Sequence, residues 1–183
     1  PFDSKYDRFL QGRATLTALE EQGRALFFNP RGANCRGCHA GTRNANMRNE
    51  LFTNHQYTNI GVPKNSTALI ARGDSANTID HGLLGRSDIS DTRTDGFFRI
   101  PTLRNIAVTA PYMHNGVFSN LRTVIAFYNH RAGNGNGVNP ETNRAWNPAD
   151  VPATVENNRL RMRALSNTDI NALEAFLKTL TDA

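Results

Sequence analysis

The sequence predicts a mainly α domain with long loops, and three observations carry that prediction. Three segments of the 183-residue chain combine helical apolar spacing with polar capping residues at their N-terminal ends. Strand signals are scarce, with residues 97–100 the only short candidate. Residues 130–165 show no convincing periodicity, and a loop this long is usually functional or mobile.

The first predicted helix covers residues 17–28. Thr17 and Glu20 form a capping box that satisfies backbone N–H groups at the helix start. Gly23 lies in the middle of this helix, where it costs about 1 kcal/mol relative to Ala. Either Gly23 is a tolerated defect, or it allows another helix to cross closely.

The second predicted helix covers residues 120–129, with Ser119 as its N-cap. Apolar residues and one tyrosine recur at positions i, i+3, i+4 and i+7, which places them on one helical face. They are Leu121, Val124, Ile125 and Tyr128. We therefore expect the Tyr128 ring to point where the core residues point.

The third predicted helix covers residues 167–180, and Ser166 with Asp169 repeats the capping pattern. An apolar stripe runs along it at helical spacing. We expect this stripe to pack against the first helix near Gly23.

One short cysteine–histidine motif predicts a bound cofactor. Cys35-Arg36-Gly37-Cys38-His39 is C-x-x-C-H, and it contains the only two cysteines of the chain. Two thiols at this spacing can add across the two vinyl groups of one porphyrin, and the adjacent imidazole can then bind the iron. The motif predicts one covalent haem c held by Cys35 and Cys38, with His39 as an iron ligand, in a cytochrome c-like helical domain.

The C-x-x-C pattern has three other common uses. A thioredoxin-like dithiol requires a βαβ context, which the sequence does not predict. A zinc site requires four ligands, and no second cysteine pair is present. A disulfide between Cys35 and Cys38 is the third alternative. Haem attachment is therefore the favoured interpretation. Because such attachment follows export to an oxidising space, it predicts a periplasmic location.

The second axial position of the iron remains open at this stage. A thioether would raise the reduction potential, whereas a phenolate would favour ferric iron. Any one methionine or histidine has packing or surface placement as its ordinary role. The candidates are Met47, Met113, Met162, Tyr128, His55, His81, His114 and His130.

The composition of the chain limits the classes of binding partner that we expect. The chain carries 21 basic and 16 acidic residues, a formal net charge of +5, and only three of the basic residues are lysines. Arginine suits an acidic redox partner or the haem propionates, although a solvated basic surface explains the same charge. The arginines form no run, so no nucleic-acid partner is expected. No apolar stretch reaches about 18 residues, so no membrane span is expected.

Several segments in combination resemble a known family. The chain is similar to the C-terminal haem domain of bacterial di-haem cytochrome c peroxidases and MauG-like proteins, over nearly its whole length. The resemblance rests on the segments 6–12 (YDRFLQG), 98–105 (FRIPTLRN), 109–116 (TAPYMHNG) and 127–129 (FYN), with Leu121 between the last two.

The resemblance implies a domain division and a role. Residues 1–15 would be a lead-in segment from a missing N-terminal domain, and residues 16–183 would form the c-type cytochrome domain. Family members carry a second haem, which reacts with hydrogen peroxide, so this domain would pass electrons to a peroxide-reactive haem in another domain or chain. The electron source would be a small redox protein or a protein substrate.

The resemblance also implies roles for single residues. The family's sixth ligand, Met in peroxidases and Tyr in MauG-like members, falls on Tyr128, which is favoured over Met113. Thr109 and Pro111 match positions whose main-chain carbonyls bind calcium between the two haems. His114 matches a histidine near the path between the haems, with a structural hydrogen-bonding role as its alternative.

Two other functions fit the residues. The chain could be a stand-alone monohaem cytochrome c that carries electrons, which the single motif and the capped terminal helices permit. It could also be a redox subunit of a larger complex, which the basic charge permits. Catalytic residues are not predicted in this chain, because the peroxide site would belong to the other domain.

Overall fold

The computed structural model describes residues 2–40 and 49–182, and helices dominate those ranges. The helices are α1 (Lys5–Leu10), α2 (Ala18–Phe28), α3 (Arg36–His39), α4 (Ser66–Ala71), α5 (Leu121–Arg131) and α6 (Asn167–Lys178), with short 3-10 turns at Leu83–Gly85, Thr92–Thr94 and Ile106–Val108. The mainly α prediction is confirmed in this general form. Within the described ranges, no helix combines the length and the apolarity that crossing a membrane requires.

The strands are only two residues long. β1 (Tyr57–Thr58) pairs antiparallel with β2 (Phe98–Arg99), and β3 (Val138–Asn139) pairs antiparallel with β4 (Arg144–Ala145). The predicted candidate at residues 97–100 contains β2. The expectation that it was the only candidate is wrong, because strands of two residues are too short to show an alternating pattern.

Helices α2 and α6 form the main helix pair. Both begin with the predicted capping boxes, Thr17 with Glu20 and Ser166 with Asp169. A Cβ atom added at Gly23 would lie 1.9 Å from the carbonyl oxygen of Ala172 in α6. The prediction that these helices cross closely at Gly23 is confirmed. Helix α6 ends two residues earlier than predicted.

Helix α5 begins one residue later and ends two residues later than predicted. Ser119 is not its N-cap: Asn120 occupies that position, and its side chain makes no capping hydrogen bond. The carboxylate of Glu141 instead accepts hydrogen bonds from the backbone N–H groups of Ser119 (3.1 Å) and Asn120 (2.8 Å). The Ser119 prediction is wrong because a distant carboxylate meets the need for an acceptor at the helix start.

The N-terminal segment packs into the core. Helix α1 begins with a capping box formed by Ser4 and Asp7, both of which are buried. The fully buried ring of Tyr6 lies 5.2 Å from the ring of Phe176 in α6 and 5.9 Å from that of Phe52, between centroids. Helix α1 is therefore part of the hydrophobic core that α6 also joins.

Candidate haem-binding site

A cavity of about 620 Å³ opens beside the one-turn helix α3. This volume lies within the range of ligand and cofactor sites, about 300–1,000 Å³. Helix α5 contributes the four residues of the predicted face to its wall: Leu121, Val124, Ile125 and Tyr128. The aperiodic segment supplies further wall residues: Val151, Arg159, Leu160, Arg161, Met162 and Leu165. That long segment is therefore part of the site.

Both cysteines of the motif line the cavity. Cys35 precedes the first residue of α3, and its carbonyl accepts a hydrogen bond from the backbone N–H of His39 at 2.8 Å. The two sulfurs do not form a disulfide. Burial raises the pKa of the Cys35 thiol to about 12 and also raises that of Cys38. These are neutral thiols, unlike the low-pKa cysteines of redox-active dithiols.

His39 is buried at the base of the cavity. Its Nδ1 atom lies 3.2 Å from the carbonyl oxygen of Phe52. A carbonyl can only accept, so Nδ1 carries the proton and Nε2 keeps its lone pair. Burial lowers the pKa of His39 to about 4, although backbone carbonyls oppose that effect. The imidazole is therefore neutral, as a metal ligand must be.

Tyr128 lies on the same cavity and is half-buried there. Burial raises the pKa of its hydroxyl well above the usual value. Among the described residues, no group forms a hydrogen bond with this hydroxyl. The cavity leaves this hydroxyl accessible, since it is not one of the fully buried side-chain polar atoms that lack a partner. A group bound in the cavity could therefore contact it.

The structure divides the other candidates for the sixth ligand into two groups. Met113, Met162 and His114 line the cavity, but three histidines do not. The Nδ1 atom of His55 contacts Arg99 at 3.0 Å, and His81 bonds Asp95 at 2.7 Å. The His130 ring stacks on Trp146, with 5.5 Å between centroids. Met47 lies outside the described residues.

His114, Thr109 and Pro111 are exposed residues that also line the cavity. The His114 ring stacks on that of Phe98, with centroids 3.4 Å apart and an interplanar angle of 7°. Partial desolvation of the ring lowers the pKa of His114. No group of three or more His, Cys, Asp or Glu residues that could hold a metal ion occurs in the described ranges. Calcium at Thr109 and Pro111 stays a prediction.

The sequence patterns did not predict which charged residues line the cavity. Arg99, Arg159 and Arg161 are exposed and line the cavity. Arg159 donates a hydrogen bond to Gln56 at 3.0 Å and lies 3.9 Å from the carboxylate of Glu156. Guanidinium groups bind carboxylates well. The only local signal was the R-L-R spacing at residues 159–161, which does not reveal that Arg99 lines the same cavity.

The donor set fits a covalent haem. Two neutral thiols, a neutral imidazole and a phenol without a hydrogen-bond partner among the described residues line one mostly apolar cavity, with arginines among its wall residues. A zinc site would need four ligands close together, which the described residues do not supply.

Comparisons with known proteins agree with this set of residues. No family model matches the chain. It is 45% identical over 185 residues to the methylamine utilization protein MauG of Paracoccus denitrificans, covering 100% of this chain and 47% of that protein. It is 30% identical to the cytochrome-c peroxidase IdrP2 of a Pseudomonas species, covering 98% of this chain and 44% of that protein. The chain belongs to the family of MauG-like proteins and di-haem cytochrome c peroxidases.

Solved structures of this MauG-like family show the same fold. The diheme peroxidase BthA from Burkholderia thailandensis matches with a TM-score of 0.75 at 35% identity, over 100% of this chain and 47% of that chain. A MauG-like protein associated with microbial copper homeostasis matches with a TM-score of 0.67 at 32% identity, over 100% of this chain and 49% of that chain. The chain thus spans about half the length of the relatives that it matches.

Proposed function

We propose that this chain is the electron-transfer c-type haem domain of a MauG-like or di-haem peroxidase-type oxidoreductase. It would pass electrons to a peroxide-reactive haem elsewhere in the protein. One observation carries the proposal: Cys35, Cys38, His39 and Tyr128 line a single cavity in a chain of this family. As an electron-transfer domain, the chain itself would contain no catalytic residue.

Each thiol would form one thioether link. The sulfur of Cys35 or Cys38 would bond to a vinyl carbon of the porphyrin and the thiol proton would go to the neighbouring carbon, so this addition would consume no oxidant. When bound, haem supplies a one-electron Fe(III)/Fe(II) couple. Attachment of this kind follows export to an oxidising space, which is the ground for proposing a periplasmic location.

The axial residues would set which oxidation state is favoured. His39 would bind the iron through Nε2, and the hydrogen bond between its Nδ1–H and the Phe52 carbonyl would fix the orientation of the ring. Tyr128 would bind after losing its proton, as an anionic phenolate that favours ferric iron. This role is proposed for Tyr128 ahead of Met113, because its hydroxyl faces the cavity without a hydrogen-bond partner among the described residues.

The other half of the protein would supply what this chain lacks. A second haem domain, or a tightly bound second chain, would hold the peroxide site, with residues 1–15 as the lead-in and 16–183 as the domain itself. His114 would lie near the path between the haems, and Thr109 with Pro111 would offer carbonyls to calcium. A small redox protein or a protein substrate would supply the electrons.

Peroxide titration of the native protein tests this function. The reduced native protein should carry a second haem, and stoichiometric hydrogen peroxide should oxidise the haem on His39. A native protein with one haem that peroxide leaves reduced would contradict the proposal and favour the stand-alone electron carrier.

A further inference from the structure

The carbonyl that holds His39 belongs to a residue in an uncommon conformation. Phe52 has φ 56°, in the left-handed region, and its side chain is fully buried. For a residue with a bulky side chain this backbone conformation is strained and persists only where the surroundings enforce it. The contacts that enforce it therefore also determine where the acceptor of the His39 hydrogen bond lies.

Arg104 contacts the Phe52 segment in two ways. Its Nε atom donates a hydrogen bond to the backbone carbonyl of Glu50 at 2.9 Å. Its guanidinium carbon lies 5.4 Å from the centroid of the Phe52 ring. The side chain of Glu50 in turn accepts the backbone N–H of Phe52 at 3.0 Å. Arg104 thus restrains the chain on the N-terminal side of Phe52 and also packs on its ring.

Asp7 in helix α1 fixes Arg104. The two carboxylate oxygens accept hydrogen bonds from Nη1 and Nη2 of Arg104, the latter at 2.9 Å. The side chains of Arg104 and Asp7 are 8% and 3% exposed. Ser4 adds a hydroxyl hydrogen bond to Asp7 at 2.5 Å. Burial alone would raise the pKa of Asp7, but the hydrogen bonds from Arg104 and Ser4 lower it.

We propose that Arg104, anchored by Asp7, is a positioning residue for the axial imidazole. It holds the segment from Glu50 to Phe52 so that the Phe52 carbonyl accepts the Nδ1–H of His39. This rests on the proposed function, because it assigns iron ligation to His39. A firmly held acceptor makes the imidazole a stronger donor, which stabilises ferric iron and lowers the potential.

The conservative variant Arg104→Lys separates position from charge. Lysine keeps the positive charge but lacks the planar fork that reaches both Asp7 and the Glu50 carbonyl. The matched control is Arg163→Lys, because Arg163 makes a similar two-bond pair with Asp169 at 2.9 and 2.8 Å. That pair lies at the start of helix α6, and neither member lines the cavity.

The test measures the midpoint potential of the haem-loaded protein, together with proton exchange at His39 Nδ1 by NMR. Arg104→Lys should shift the potential upward and speed the exchange, whereas Arg163→Lys should lower thermal stability and leave both readouts at wild-type values. Ser4→Ala, which is neutral and milder, should shift the potential in the same direction and covers the case where Arg104→Lys does not fold.

Three results would overturn the inference. The first is a midpoint potential that is unchanged or lowered in Arg104→Lys, together with unchanged proton exchange at His39 Nδ1. If Arg104→Lys does not fold, the same result in Ser4→Ala counts. The second is an equal shift in Arg163→Lys, which would mean that any loss of stability moves the potential. The third is a wild-type protein without covalent haem, which would reject the proposed function as well. In the first two results the haem is present, so the inference fails alone.

Discussion

At the scale of residues, the fold keeps two ionisable groups of the cavity neutral. Burial lowers the pKa of His39 to about 4 and raises the pKa of Tyr128 above its usual value. A neutral imidazole can bind a metal at once, but a phenol must first lose its proton. Under the proposed ligation, a strongly bound cation would have to replace that proton at Tyr128.

Replacing Tyr128 tests its role. Tyr128→Phe removes only the hydroxyl, so the haem-loaded variant should show a changed optical spectrum and a higher midpoint potential, because an anionic donor is lost. The matched variant Met113→Leu keeps a side chain of similar volume on the same cavity and should leave both readouts unchanged. The opposite pattern, with Met113→Leu changing the spectrum and Tyr128→Phe not, would assign the ligand to Met113.

At the scale of elements, the contact between α2 and α6 limits which residue can occupy position 23. A methyl group there would meet the Ala172 carbonyl at 1.9 Å and the Phe176 Cβ atom at 2.8 Å. Both neighbours lie on the buried face of helix α6 and cannot move independently. The close approach brings Phe176 against Tyr6 and Phe27 in the core.

Gly23→Ala should therefore destabilise the protein. Helix propensity favours alanine by about 1 kcal/mol, but overpacking against a backbone carbonyl should outweigh that gain and leave a net loss of about 1–3 kcal/mol. Denaturant unfolding measures the difference. Gly85→Ala is the control, since its Cβ would meet only the His81 Cβ atom at 3.8 Å, and it should change stability by less than about 0.5 kcal/mol. A stabilised Gly23→Ala would contradict the packing described.

The cap of α6 makes stability depend on pH. Hydrogen bonds from Arg163 and from Ser166 lower the pKa of Asp169 to about 2, although burial opposes them. Because the folded-state pKa lies below the unfolded value, the stabilisation is present above about pH 4 and is lost as the pH falls toward 2. It corresponds to about 2 kcal/mol.

Asp169→Asn should remove this part of the acid dependence. The free energy of unfolding of the wild type should fall more steeply between pH 4 and pH 2 than that of the variant, since the variant has no carboxylate to protonate. Asp88→Asn offers a control, because the pair of Arg86 and Asp88 is fully exposed. Parallel curves for the wild type and Asp169→Asn would show that the cap does not contribute.

At the scale of the whole molecule, structural features that depend on residues close together in the sequence were predictable. The spacing from Cys35 to His39 predicted that these side chains share one site, and they line the same cavity as the helical face that ends at Tyr128. The glycine at position 23 indicated a close helix crossing. Each of these signals lies within one turn or one helix, where backbone geometry alone relates the residues.

Features that depend on long-range contacts were not predictable from a single sequence. Glu141 lies 21 positions beyond the Asn120 N–H group that it accepts, and Arg104 pairs with Asp7 across 97 positions. Nothing in local spacing brings such groups together. The role of the Phe52 carbonyl was not predictable either. Every residue type has a backbone carbonyl, so the sequence does not show which carbonyl accepts the hydrogen bond of His39.

The central claim is that haem is bound through thioether links to Cys35 and Cys38 and ligated by His39. The most direct test digests the native protein and measures the mass of the peptide that contains residues 35–39. The account predicts that this peptide carries one haem, which acidified organic solvent does not extract. A peptide of unmodified mass, with both thiols free and the colour extracted or absent, would contradict it.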